Sequence, residues 1–135
     1  MTSNQKLLLL SIWELRCSSL HLKFLRKHCC NDTIYAILNH QQTQLTNLEW
    51  ESRQLAIQRG LEPPEYENLF CRPLRFPFLF TTARLVHSWY NRNKVTCAHI
   101  RRALRQYPRA DSVSIFCQKC IDFSTGVMHQ LNPYL

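Results

Sequence analysis

Glycine is nearly missing from this chain, with Gly60 and Gly126 the only two in 135 residues. That scarcity excludes chemistries in which a glycine-rich turn brings backbone N–H groups against phosphate. A P-loop, a dinucleotide fingerprint and a G-x-S-x-G nucleophile elbow are all absent. Long apolar runs are lacking too. The mostly apolar run Leu7 to Trp13 covers seven residues between Lys6 and Glu14, against about 20 for a membrane span, so no membrane span is expected. As a leader it has a single preceding lysine, and Glu14 and Arg16 follow without a small-x-small cleavage site. The expectation is an intracellular protein of the cytoplasm or nucleus, in which the sequon Asn31-Asp32-Thr33 has no use. Acid is scarce: nine Asp and Glu stand against 17 Lys and Arg, giving a net charge of +8. That balance points to an anionic partner, whether nucleic acid, acidic protein or acidic membrane surface.

What the chain does have is an ordinary globular composition, 45% apolar and 19% charged, over a length suited to one domain with its own core. Seven cysteines are many, but the count is odd and the spacing irregular. Reduced thiols, some of them binding metal, fit better than a disulfide scaffold.

Hydrophobic spacing predicts a mainly α fold of four to five helices with a small C-terminal β-hairpin or zinc-knuckle element. Residues 1–60 form the N-terminal helical part, 61–80 a proline-rich connector, and 81–135 the basic helices with the cysteine-pair hairpin, all in one compact domain. Leu8, Ile12, Leu15, Leu22 and Leu25 recur at helical spacing between Asn4 and His28, where Lys23, Arg26 and Lys27 suit the C-terminal dipole. Asn31 or Asp32 caps a second helix, weakened over Asn39 to Gln44. Thr46-Asn47-Leu48-Glu49 reads as a capping box opening a short helix, Asn47 to Arg59, that Gly60 closes. Pro63, Pro64, Pro73 and Pro77 mark the connector. A helix then runs from Thr81 or Thr82 to about Asn91, and another from Thr96 to before Pro108. In the tail, Val113 to Phe116 and Ile121 to Phe123 read as strands around a tight turn at Cys117 to Cys120, with a further turn at Ser124-Thr125-Gly126.

Between Glu67 and Asp111 there is no acid, while Arg72, Arg75, Arg84, Arg92, Lys94, Arg101, Arg102, Arg105 and Arg109 supply nine positive charges. Arginine pairs with phosphate through two N–H groups and stacks on bases. Phe76, Phe78, Phe80, Trp89, Tyr90 and Tyr107 are interleaved, a mixture suited to RNA or single-stranded nucleic acid. Arg101 and Arg105 share a helix face with Arg102 beside them and Arg109 just beyond, opposite Ile100, Ala103, Leu104 and Tyr107. The nucleic-acid contacts expected are Arg84, Arg92, Lys94, Arg101, Arg102, Arg105 and Arg109. The bland alternative is a solvated basic face, with the aromatics in the core and arginine stems covering it.

Cys117-Gln118-Lys119-Cys120 has the gap that lets two thiolates chelate one metal. Cys97 and His99 lie upstream, so Cys97, His99, Cys117 and Cys120, with His129 as substitute, make a candidate structural zinc site. The alternative is that Cys97 is a small buried residue, His99 an exposed one, and the pair free or joined to each other. Cys17 with His21, and His28-Cys29-Cys30, read better as buried thiols than as a second site. Cys71 has no assigned role.

No paired acids suit general acid–base work, and the basic stretch lacks the carboxylates of a metal-dependent nuclease; the expectation is a protein that is not an enzyme. Arg101-Arg102-Ala103 followed by Cys117-x-x-Cys120, in a small basic chain with an apolar helical start, resembles the small cysteine-rich nucleic-acid-binding proteins of plant RNA viruses. The resemblance implies RNA binding and suppression of host silencing. A protein-interaction module is the competing reading. Its apolar faces would be Leu7 to Leu25 and Asn47 to Arg59, with the basic stretch docking an acidic protein partner. The first helix would equally serve a homodimer.

Overall fold

The N-terminal helix, α1 (Ser3–His28), begins at Thr2, whose side chain accepts from Gln5 N while the Gln5 side chain accepts from Thr2 N. It ends in Arg26, Lys27 and His28, cations at the negative end of the dipole. Leu7, Leu8, Ser11, Ile12, Leu15, Ser18, Leu22 and Leu25 are buried at a three-to-four-residue spacing. The small serines let the neighbouring helices approach; Ser11 Oγ donates to Leu7 O at 3.0 Å, so its hydroxyl is satisfied in the core. This computed structural model describes residues 1–62 and 81–135. The expected proline-rich connector falls almost wholly outside the described residues, together with Cys71, Arg72, Arg75, Phe76, Phe78 and Phe80.

Helix α2 (Asp32–Gln58) starts at Asn31, whose side chain accepts from Ile34 N at 3.0 Å. It is one helix, not two. Thr46 caps nothing, because its hydroxyl donates to Gln42 O at 2.9 Å within the helix. The polar stretch that should have weakened the helix is held by packing partners. Asn39 accepts from Arg26 Nε at 2.8 Å, and buried Gln41 accepts from Trp89 Nε1 at 2.7 Å and donates to Gln130 at 2.9 Å. Gly60 ends the helix as the sequence predicts. At φ +69° it places its N–H on Ile57 O and that of Leu61 on Ala56 O, a Schellman closure that only glycine adopts without strain.

Helix α3 (Thr82–Arg105) is capped by Thr81 and is likewise continuous through the expected break. Asn93 is buried and donates to Trp89 O, and Thr96 bonds Glu14 across the bundle, so it caps no new helix.

The largest correction concerns the tail. No strand occurs among the described residues; in place of a β-hairpin or zinc knuckle, Ser112–Leu131 forms α4, followed by a 3₁₀ turn over Asn132–Tyr134. Asp111 starts it with a reciprocal box, accepting from Val113 N and Ser114 N at 3.0 Å while Ser114 Oγ accepts from Asp111 N. Val113, Phe116, Cys117, Cys120, Ile121, Ser124, Val127 and Leu131 are buried, a helical period sustained over five turns. That apolar stripe outweighs the strand preference of the short β-branched run, since tertiary burial overrides local propensity.

The helices make a four-helix bundle. α1 and α2 are antiparallel, joined through Arg26–Asn39 at one end and Gln5–Arg59 at the other. α3 runs antiparallel to α1, with Ser88 against His21 and Tyr107 against Asn4. α4 runs antiparallel to α2, as Gln41–Gln130 and Lys119–Glu51 show. α2 and α3 therefore point the same way, and the chain leaves α2 at one end of the bundle and enters α3 at the other. Trp89 and Phe116 are the largest fully buried side chains, set among leucines, each worth roughly 1.5–3 kcal/mol on burial. No helix among the described residues is long and apolar enough to cross a membrane.

Candidate nucleic-acid interface

α3 divides cleanly. Leu85, Val86, Trp89, Asn93, Thr96, Cys97 and Ile100 face the core. His87, Lys94 and Arg101 lie seven residues apart on the opposite side, with Arg84, Ala98, Arg102 and Arg105 around them, all exposed. The helix carries no Asp or Glu, and from Arg84 to Arg105 the stripe runs about 31 Å at 1.5 Å per residue. Arg109 continues it, exposed, in the turn before α4. Lys94, Arg101, Arg102, Arg105 and Arg109 make no hydrogen bond or ion pair among the described residues.

Arg92 is different. It leans toward α1 and donates from Nη2 to Glu14 Oε2 at 2.6 Å, while Thr96 Oγ1 reaches the same oxygen at 3.2 Å and His99 Nδ1 lies 2.5 Å from Oε1. The Glu14 side chain is 2% exposed, so this is a buried carboxylate with its cation, and Arg92 is spent on the fold. Sequence reasoning missed Glu14. The signal was its register: it stands seven residues after Leu7 and seven before His21, on the core side of α1.

Of the expected aromatic partners among the described residues, Trp89 and Tyr107 are interior and Tyr90 is half-buried. Trp89 is fully buried and Tyr107 nearly so, its hydroxyl donating to Asp111 and accepting from Asn4. Asn4 also donates to Asp111 Oδ2 at 2.8 Å and accepts from Arg59 Nε at 2.7 Å, and Arg59 Nη2 donates to Ser112 Oγ. This network ties the start of α1 to the ends of α2 and α3 and to the start of α4. Burial alone would raise the Asp111 carboxyl, but hydrogen bonds from Tyr107, Ser114 N, Asn4 and Val113 N bring it below the usual range.

The five residues expected to bind zinc are not brought together. Cys97 Sγ lies 3.6 Å from both Ile121 O and Thr125 Oγ1, Cys117 Sγ lies 3.1 Å from Ser11 Oγ, and His99 is committed to Glu14. His129 is exposed on the last turn of α4. Burial pushes the Cys117 thiol up and the Cys120 thiol well above its ordinary value. Among the described residues no group of three or more His, Cys, Asp or Glu is arranged to hold a metal ion. Cys29, Cys30, Cys97, Cys117 and Cys120 are free, in line with reduced thiols being favoured over a disulfide scaffold, whereas Cys17, read as a buried thiol, is disulfide-bonded.

Two grooves flank the basic stripe. Toward α1, His21, Arg84, His87, Ser88, Asn91 and Arg92 line an open cleft of about 590 Å³. His21 Nε2 lies 2.9 Å from Ser88 Oγ, and the ring stacks on Trp89. Burial, and secondarily the Arg92 charge, lower its pKa from 6.5 to about 4. Such a ring is neutral at pH 7 but a weak base, poorly matched to activating a serine. Toward α4, Ala98, Arg101, Leu104, Arg105, Gln118 and Ile121 line a groove of about 580 Å³.

No family model, curated protein or solved structure matches the chain.

Proposed function

We propose that this protein binds RNA or single-stranded nucleic acid through the outer face of α3, without catalysing a reaction. The observation that carries the reading is the acid-free stripe itself: Lys94, Arg101, Arg102 and Arg105 are exposed on one helix and engage no acid among the described residues, with Arg109 beyond its end. Side chains that serve only solubility are ordinarily interspersed with acids, whereas a one-sign stripe along a helix is the electrostatic footprint of a polyanion site. Relative to the sequence reading, the contact set loses Arg92, which Glu14 holds, and keeps Arg84, Lys94, Arg101, Arg102, Arg105 and Arg109. A role in suppressing RNA silencing rests on the resemblance to the plant-virus proteins, and a silencing reporter assay is its separate test.

Replacing Arg101, Arg102 and Arg105 together by Gln tests the binding. Helix propensity is kept and none of the three makes a hydrogen bond among the described residues, so the circular dichroism and unfolding midpoint should hold while affinity for a labelled single-stranded RNA falls at least a hundredfold. Unchanged affinity would remove the assignment.

A protein-interaction module remains the second reading because of one specific feature. Trp50 and Ile57, seven residues apart on α2, are 65% and 59% exposed with Arg53 between them. An acidic protein with an apolar anchor would fit there, and Trp50→Ala should then release the partner while leaving RNA binding untouched.

A further inference from the structure

The groove between α3 and α4 has a floor and rim of different chemistry. Half-buried Leu104 and buried Ile121 make the floor, together with the methyl group of Ala98, while Arg101 and Arg105 stand exposed on the α3 rim and Gln118 on the α4 rim. The two arginines are four residues apart on the same face, so one turn of helix sets both guanidinium groups over the same apolar depression. We propose that this groove seats an unpaired nucleobase, its face against Leu104 and Ile121 and its flanking phosphates on Arg101 and Arg105, and that the protein thereby selects single strands over duplexes. The inference rests on the nucleic-acid reading above and narrows its substrate class.

Three considerations carry it. The groove is open, and its volume of about 580 Å³ leaves room for a flat organic group, small-ligand clefts spanning roughly 300–1,000 Å³. An apolar floor gives a phosphate nothing, so the arginines alone account for the backbone and the floor calls for a group with an apolar face. In a duplex that face is stacked and paired, and an A-form helix offers only its outer edges and backbone to a convex helix surface. Trp89 and Tyr107 are buried and neither lines this groove, so base stacking here is left to arginine planes and the apolar floor. Gln118 Nε2 donates to Asp122 Oδ1 at 3.0 Å, which places an exposed carboxylate one turn from the α4 rim. A strand passing through the groove runs close to that charge, so Asp122 opposes binding.

Three variants and two probes test the proposal: a 12-nucleotide single-stranded RNA and the duplex formed with its complement, titrated by fluorescence anisotropy. Ala98→Leu fills the groove on a helix surface without altering charge. It should weaken single-strand binding about tenfold, the scale of one lost base stack, and leave duplex binding within twofold. Asp122→Asn should strengthen single-strand binding a few-fold. If Ala98→Leu changes neither probe, or both equally, while Arg101→Gln with Arg105→Gln still abolishes binding, the interface is a plain basic face and the groove takes no base. If the wild-type protein binds neither probe, the nucleic-acid reading itself fails and this inference falls with it. Matching circular dichroism and unfolding midpoints exclude misfolding as the source of any loss.

Discussion

Arg92 Nη2 and Glu14 Oε2 lie 2.6 Å apart across the α1–α3 contact, with the carboxylate 2% exposed. A carboxylate taken this far from water is tolerated only with its cation and hydrogen-bond donors in place. Removing one partner therefore costs more than the pair itself is worth.

Arg92→Met should lower stability by on the order of 3 kcal/mol in urea unfolding, because Glu14 is left buried without its cation. The double variant Arg92→Met with Glu14→Leu should recover most of that loss, since two apolar side chains replace the pair without stranding a charge. A single variant as stable as wild type would show that His99, 2.5 Å from Glu14 Oε1, or water supplies what Arg92 provides.

His21 gives the fold a pH dependence of definite sign. Its folded pKa is lowered from 6.5 to about 4, so between those values the unfolded chain takes up a proton that the folded one refuses. Its contribution is complete above pH 6.5 and is lost as pH falls toward 4, amounting to roughly 3 kcal/mol over the window. His21→Asn keeps a polar partner for Ser88 and should flatten that part of the stability–pH curve. An unchanged slope would assign the acid sensitivity to other groups.

Much of the bundle was legible because its helix ends are written in local chemistry. Asn31, Thr81 and Gly60 act where their types predict, each through a backbone group that the neighbouring turn leaves unpaired. The breaks inferred near Asn39–Gln44 and Asn91–Thr96 were not real: Gln41 and Thr96 are satisfied by partners far away in sequence, and buried Asn93 donates within the helix to Trp89 O. The C-terminal pair misled for a different reason. A two-residue gap sets thiols for chelation in a turn, and equally sets them on one face of a helix, and Cys117 and Cys120 use it to face the core. The basic stripe on α3 was visible from composition alone, but the subtraction of Arg92 needed Glu14, 78 residues away.

Gly126 separates the helix from the turn by experiment. It lies inside α4, exposed, without a positive φ, and a Cβ there meets nothing within 4 Å. Gly126→Ala should stabilise the protein by about 0.5–1 kcal/mol in denaturant unfolding. Gly60→Ala, at φ +69°, should destabilise it by about 1–2 kcal/mol. Loss of stability at Gly126 would mean that the residue serves as a turn.

Salt dependence counts the cations that meet phosphate. Lys94, Arg101, Arg102, Arg105 and Arg109, on and beyond α3, are exposed and engage no acid among the described residues, and Arg84 completes the contact set of six. If each of the six neutralises one phosphate of a single strand, log affinity should fall against log salt with a slope of roughly −4.2. The triple change of Arg101, Arg102 and Arg105 to Gln should leave a slope of roughly −2.1 in whatever weak binding survives. Arg92 supplies the internal control. Held by Glu14, it releases no counterion, so the folded double variant Arg92→Met with Glu14→Leu should bind with the wild-type slope. A slope shallower by about 0.7 would mean that Arg92 leaves Glu14 for the strand, and that binding draws on the same buried pair that holds α1 against α3.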